Sequence, residues 1–224
     1  MRNPRYLAPF VDDNFLSSSP TRIAGSDDLN IKDFQTGLHV IVAQSPEDVA
    51  AAQQLVAQRY AWRGYNTEIS TVKAGDSVTL IAKQGDDTVG TLSVRFDSEQ
   101  GLSADEIFGP EVDSRRHKGG RVCELTRLAI STGIKSSEVL GLLVRLSFMV
   151  CRGLRAATDV FIEVNPRHER FYRHILDFNV ASDRRICPRV SAPAVLLHLD
   201  LCGLERSLQK LMNCYAPEEI PLAA

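Results

Sequence analysis

The five cysteines of this chain form no CxxC pair and share no metal-binding spacing with its histidines, so a metal site is not expected. Long hydrophobic runs are missing too. No stretch approaches the ~20 apolar residues needed to cross a bilayer, and the N-terminus lacks an apolar secretory core. The longest apolar helix expected from the pattern is interrupted by Arg145 and Arg152. Charge of one sign is not in excess: the formal net charge is −2, so bulk electrostatics give no reason to expect nucleic acid as a partner. These absences leave a cytoplasmic globular protein as the expectation. Cys123, Cys151, Cys187, Cys202 and Cys214 are expected as reduced thiols, most of them among apolar neighbours.

A chain of 224 residues can bury a real core, and one domain is the simplest count. Residues 1–36 mix Pro, Ser, Asp and Asn without a sustained period and read as a partly ordered arm. Residues 37–224 read as a single domain. GLHVIVAQ (37–44) is a strand, and Ser45-Pro46-Glu47-Asp48 has the chemistry of a helix start, with Ser as N-cap and Pro at the first helical position. The helix over 46–62 is expected to pack through Val49, Ala52, Val56 and Tyr60. VTLIAKQ (78–84) and TVGTLSVRF (88–96) flank Gly-Asp-Asp and make a hairpin. Residues 97–120 exceed what a connection needs and read as an insertion, either a lid or binding loop or a variable surface excursion.

The chain is organised around Arg121–Phe178. RVCELTRLAIST is compatible with a strand. SSEVLGLLVRLSFMVCRGLRA carries Val139, Leu142, Leu143, Leu146, Met149 and Val150 at helical spacing. DVFIEV is a short apolar strand that breaks at Asn165-Pro166, where a short helix begins. Such a βαβ unit requires parallel strands and a right-handed crossover. Ligands of open α/β sheets bind beyond the carboxyl ends of those strands. A charged loop (SDRRICPRVS), a strand (PAVLLHLDL) and an amphipathic helix (LCGLERSLQKLMNCY) complete the order, giving a mixed sheet with helices on both sides.

Glu124 and Arg127 are charges within an otherwise apolar strand. Three residues apart, they point to opposite faces unless a bulge intervenes. A buried carboxylate there would have a raised pKa or a cationic partner. Glu124 is a candidate to bind or deprotonate an amine, and Arg127 to hold a carboxylate or the glutamate itself; a structural ion pair is the alternative. Tyr172 is a candidate acid toward a leaving thiolate and His168 a candidate base, although either serves equally as an ordinary packed or exposed side chain. Arg167, Arg170, Arg173, Arg184, Arg185 and Arg189, with Arg115, Arg116 and Lys118, form basic runs suited to an acidic partner or a phosphate, or to a solvated face. Cys123 beside Glu124 raises the idea of an acyl-cysteine, but strand alternation turns the two apart.

In element order, and with NPRHERFYRHILDF where the pattern N…FY..LGF is expected, the sequence resembles the GNAT acyltransferase superfamily. More closely, CELTRLAI, NPRHERFYRHILDF and CPRVSAPAVLLHLDL together resemble the long-chain N-acyl amino acid synthases, which are related to acyl-homoserine lactone synthases. The resemblance implies an α/β (α+β) fold: a mixed, mostly antiparallel twisted sheet with a splayed central parallel strand pair. It implies transfer of a medium- or long-chain acyl group from the 4′-phosphopantetheine thioester of acyl carrier protein, or from acyl-CoA, to the α-amine of an amino acid such as tyrosine, with no tightly bound cofactor.

The same resemblance assigns Glu124 and Arg127 as the acid and arginine of the lactone synthases, and Tyr172 as the tyrosine near the thiol. The pantetheine arm is expected along Leu128, Ala129, Ile130 and Asn165, carrier protein at Arg115, Arg116, Arg167, Arg170, Arg173, Arg185 and Arg189, and the acyl chain against the Leu-rich helix. Arg127 or an arginine of 184–189 would fix the acceptor carboxylate. Two departures stand out. STGIKSSE lacks the Q/R-x-x-G-x-G/A pyrophosphate loop, which suits protein-bound pantetheine better than free coenzyme A. Asp177 replaces the glycine of LGF. A lactone-forming autoinducer synthase and a non-catalytic acyl-thioester-binding domain remain alternatives at this level.

Overall fold

The computed structural model describes residues 29–61 and 75–203. The nine described strands are β1 (Asn30–Asp33), β2 (Leu38–Val42), β3 (Ser77–Gln84), β4 (Asp87–Phe96), β5 (Val122–Ile130), β6 (Asp159–Val164), β7 (Asn179–Val180), β8 (Arg185–Cys187) and β9 (Ala192–Asp200). The helices are α1 (Pro46–Ala61), α2 (Asp105–Arg116), α3 (Ser136–Arg155) and α4 (Pro166–Ile175). The strands run in the order β1-β2-β3-β4-β5-β6-β9-β7, with β8 also on β9. All pairs are antiparallel except β5–β6, which is joined in parallel through α3. This is the expected mixed sheet. Most of the C-terminal helix expected after PAVLLHLDL lies outside the described residues.

Strand alternation divides the sheet into two buried faces. Cys123, Leu125, Val160, Ile162, Val195, Leu197 and Leu199 turn toward α3, whose Val139, Leu143, Leu146 and Val150 complete one core. Val122, Phe161, Ala194 and Leu196 turn the other way, against Phe108 and Val112 of α2. Beside them, Leu55 and Val56 of α1 cover Ala129. Helix α3 approaches β4 closely at Gly90, where a Cβ would sit 2.5 Å from a Val139 methyl carbon.

Local chemistry accounts for the helix starts. Ser45 Oγ accepts from the Asp48 N–H at 3.0 Å, the expected N-cap of α1, and Asn165 caps α4 by accepting from Arg167 N–H ahead of Pro166. Within α1 the inward set differs from expectation: Ala52, Leu55 and Val56 are buried, whereas Val49 is exposed. The helical period holds, with the buried face rotated toward Leu55.

Two further differences concern segments expected to be irregular. Asn30–Asp33, in the segment read as an arm, forms β1 against β2, and its Ile31 joins the core. Residues 1–28 lie outside the described set. The 97–120 segment, read as an insertion, contains a twelve-residue helix. It kinks at Phe108 just before Pro110, and Phe108 and Val112 are fully buried. Through these two residues the segment packs as a wall against the sheet. Its polar stretch folds because Arg116 binds three aspartates, Asp97, Asp105 and Asp113, each at 2.7 Å.

Candidate active site

The β5–β6 ladder contains three rungs, Val122–Asp159, Cys123–Val160 and Glu124–Phe161, and then stops. Beyond Glu124 the two strands splay. Antiparallel strands on the outer sides continue, so the backbone groups of 125–130 and 162–164 that face the gap have no β partner across it. A cleft of about 690 Å³ fills this gap, lined by Leu125–Ile130, Ile162–Asn165, the 131–136 turn, α4 and part of α1.

A bulge accompanies the splay. Ser93 pairs with Thr126 and Thr91 with Ala129, so two residues of β5, Arg127 and Leu128, oppose Leu92 alone. Arg127 takes a left-handed φ of 55°. The bulge reverses the strand's parity: Leu125 faces the α3 core before it, whereas Leu128 and Ile130 do so after it and Ala129 turns to α1. The Tyr60 hydroxyl donates to the Leu128 carbonyl at 3.1 Å, which holds the bulged strand to α1.

The cleft has chemically distinct walls. Leu92, Leu140, Val144, Ile162, Leu176 and Phe178 make one side apolar. Tyr172 stands at its edge, with Phe171 and Phe178 edge-on to its ring. Burial, with Tyr60 nearby, pushes the Tyr172 phenol up to about 12, so it is a proton donor throughout the physiological range. Gly133, Ile134 and Ser136 bring the start of α3 to the rim, and the N-cap Lys135 makes no side-chain capping bond. Those first-turn amides are suited to a phosphate. His168 lines the mouth and is exposed; Arg167 Nε donates to its Nε2 at 3.0 Å.

Of the expected site residues, Arg127, Leu128, Ala129, Ile130, Asn165, Arg167, His168 and Tyr172 are brought together in this cleft. Asn165 also joins α4 to β9, donating to the Pro193 carbonyl at 3.3 Å. Glu124 does not line the cleft. It is 1 % exposed, on the α2 face of β5, and accepts the Ser103 N–H at 2.8 Å. Burial pushes its pKa up to about 7, with Glu163 adding to the rise and the Ser103 N–H and Arg189 opposing it. The bulge anticipated between Glu124 and Arg127 exists, but it leaves the two residues in different surroundings.

The basic residues do not form one face. Arg167, Arg170 and Arg173 are exposed on α4, with the exposed Phe171 among them, and Arg173 pairs with Glu169 at 3.0 Å. Arg184 lies beside Glu169 as well, and Arg115, Arg116, Arg185 and Arg189 are on the α2 side in internal bonds. Arg115 lies beside Asp159 and His198, and Arg116 in its aspartate cluster. Arg185 binds Glu111 and the Ile107 carbonyl over the Phe108 ring, and Arg189 binds Glu106 and Glu163. Arginines that are neighbours in sequence pair with different acids in the fold.

Cys123 is buried on the α3 face with its Sγ 3.4 Å from that of Cys151; that contact and burial hold its thiol well above the usual range, so an acyl-cysteine has no support. Tyr60 and Glu163 are among the cleft residues not expected from the sequence. Tyr60 was read only as packing. Glu163 is a lone acid near the end of an apolar strand, a sign in line with Asn165, Arg167 and His168 beyond it that β6 ends in a site.

The family model for N-acyl amino acid synthase FeeM matches residues 51–200. Among solved structures, FeeM, an N-acyl amino acid synthase from uncultured soil microbes, is similar at a TM-score of 0.69 and 23 % identity over 80 % of this chain and 98 % of that one. An acyl-CoA N-acyltransferase from Pseudomonas aeruginosa is similar at 0.55 and 14 %, over 72 % and 98 %. The CoA-dependent acyl-homoserine lactone synthase MesI is similar at 0.51 and 12 %, over 76 % and 89 %. No curated protein sequence matches the chain. The sheet with its splayed parallel pair is therefore the GNAT fold, and the chain belongs to the FeeM family of N-acyl amino acid synthases, which makes it an N-acyltransferase.

Proposed function

We propose that this acyltransferase moves a medium- or long-chain acyl group from the pantetheine thioester of acyl carrier protein to the α-amine of an amino acid. The observation that carries this reading is the cleft between splayed β5 and β6, with unpaired strand edges on two sides and an apolar wall on another. Pantetheine is an extended chain with two amides, so it adds to such an edge as a short strand would. Its phosphate falls near the start of α3, and the acyl chain lies along Leu140, Val144, Leu176 and Phe178.

In the transfer, the neutral amine attacks the thioester carbonyl carbon. A C–N bond forms as the C–S bond breaks. Gap-facing N–H groups of the bulged strand stabilise the oxyanion. The amine's proton passes to a carboxylate on the α2 side, with Glu124 reached through water or Glu163. Tyr172 protonates the departing thiolate and is reprotonated from solvent. Arg127 fixes the reactants at the bulge, and His168 and Arg167 hold the mouth.

Acyl carrier protein is the favoured donor for two reasons. The turn STGIKSSE offers a helix start without a glycine-rich pyrophosphate cradle, and α4 presents Arg167, Arg170 and Arg173 around Phe171, a basic surface with an apolar centre. The test is an endpoint assay with carrier protein loaded with C8 to C18 chains, the matching acyl-CoAs and the twenty amino acids, followed by released thiol and product mass. An N-acyl amino acid formed faster from carrier protein is the expected result. Product from acyl-CoA alone would overturn the donor assignment.

A further inference from the structure

At the α2 side of the cleft, Glu163 and Arg189 form an ion pair. Glu163 lines the cleft and lies on the same sheet face as Glu124, one step nearer the splay, because its neighbour Phe161 is Glu124's partner on β6. Arg189 is held from behind. Its Nη1 donates to the Ser103 carbonyl at 3.0 Å and to Glu106, while Nη2 reaches Glu163. One arm of the guanidinium is thus fixed to the α2 segment, and the other meets the group that faces the cleft. Two carboxylates share a single cation here.

We infer that the Glu163–Arg189 pair is the binding site for the acceptor's α-carbon groups, opening to take a zwitterion between its two halves. This inference rests on the acceptor being an amino acid. The ammonium replaces Arg189 beside Glu163, and the carboxylate replaces Glu163 on Nη2, while Glu106 and Ser103 keep the guanidinium in place.

The physical argument is charge compensation. Separating a partly buried ion pair is costly because it strands both charges. A zwitterion supplies one partner to each, so nothing is left unpaired. An amine without a carboxylate strands Nη2, and a carboxylic acid without an amine strands Glu163. The pair therefore selects for both groups on one small molecule. It also delivers the ammonium beside Glu163, through which the first proton leaves to solvent to free the neutral amine; Glu124 behind it takes the second proton after attack.

The experiment compares the best amino-acid acceptor with its decarboxylated amine and its methyl ester, on the full chain with one acyl donor held constant. Wild type is expected to prefer the amino acid in kcat/KM on the order of 10-fold, the scale of losing one charge-assisted contact at a partly exposed guanidinium that keeps Glu106 and Ser103. Arg189→Gln should collapse that ratio toward one by losing activity on the amino acid and keeping it on the amine. Arg189→Lys, which retains the charge without the fork, should retain part of the preference. Glu163→Gln should raise KM for amino acid and amine alike. Thermal melting of each variant separates a folding defect from a binding one, and Arg189→Lys serves if Arg189→Gln does not fold.

A wild type that acylates amino acids, with variants that fold and keep its preference, would overturn this inference alone. A wild type that accepts amine and amino acid equally would do the same. A chain that acylates no amino acid refutes the proposed function and this inference together.

Discussion

Arg127 holds a left-handed backbone conformation that a non-glycine residue occupies at a cost of ~1–2 kcal/mol. That strain sits at the bulge that shifts the register of β5 against β4 beside the cleft. Arg127→Gly should remove the strain and leave the bulge in place. The expected outcome is an unchanged or raised melting temperature with acyl transfer reduced ~10-fold or more, if the side chain positions reactants as proposed. A loss of stability in this variant would mean that the guanidinium holds the strand instead. Asp177 is instructive by comparison. It replaces the glycine of LGF and has a φ of 57°, so the turn keeps the conformation that glycine favours. The residue type raised a doubt about the turn that the backbone resolves. The bulge, in contrast, was legible only as a condition. Nothing in VCELTRLAI shows where its alternation reverses, because apolar residues stand on both sides of the break and both faces of the sheet are buried.

At the scale of elements, long periodic segments were readable and charge-stabilised ones were not. Helix α3 and the strands around it follow from apolar spacing, since burial of that face decides their form. Helix α2 has only two buried residues, Phe108 and Val112, and a proline within it; its place depends on Arg116 gathering Asp97, Asp105 and Asp113. Such a network joins residues up to 19 positions apart and leaves no periodic trace. Arg116→Ala should therefore strand three carboxylates and loosen the wall that carries Ser103 and Glu106. A loss of about 2 kcal/mol, or a melting temperature about 4–8 °C lower, is expected from a partly buried network of this size. Hydrogen exchange should rise first in residues 102–116. A uniform rise across the sheet would show instead that α2 unfolds only with the whole domain.

For the molecule as a whole, the buried Glu124 makes stability depend on pH. Its pKa is about 7 in the fold, against an ordinary value of 4.5. Between these two values the unfolded chain has released the proton that the native protein still holds. Stability therefore falls as pH rises from 4.5 to 7 and levels off above that, where both states are ionised. A difference of ~2.5 pH units corresponds to about 3 kcal/mol. Glu124→Gln cannot ionise, so its stability relative to wild type should climb across this window by about that amount and then stay constant. Urea denaturation at pH 5, 6, 7 and 8 measures the difference directly, and a constant offset would show that Glu124 titrates alike in both states. The same variant should lose the acid limb of the rate profile near pH 7 together with most of its turnover, if Glu124 is the proton acceptor. Unchanged turnover with the stability effect intact would leave Glu124 as a buried structural acid and move the proton to Glu163, the carboxylate that lines the cleft. The fold thus keeps a carboxylate where it is least stable when charged, and that burial is what brings its proton affinity near neutral pH.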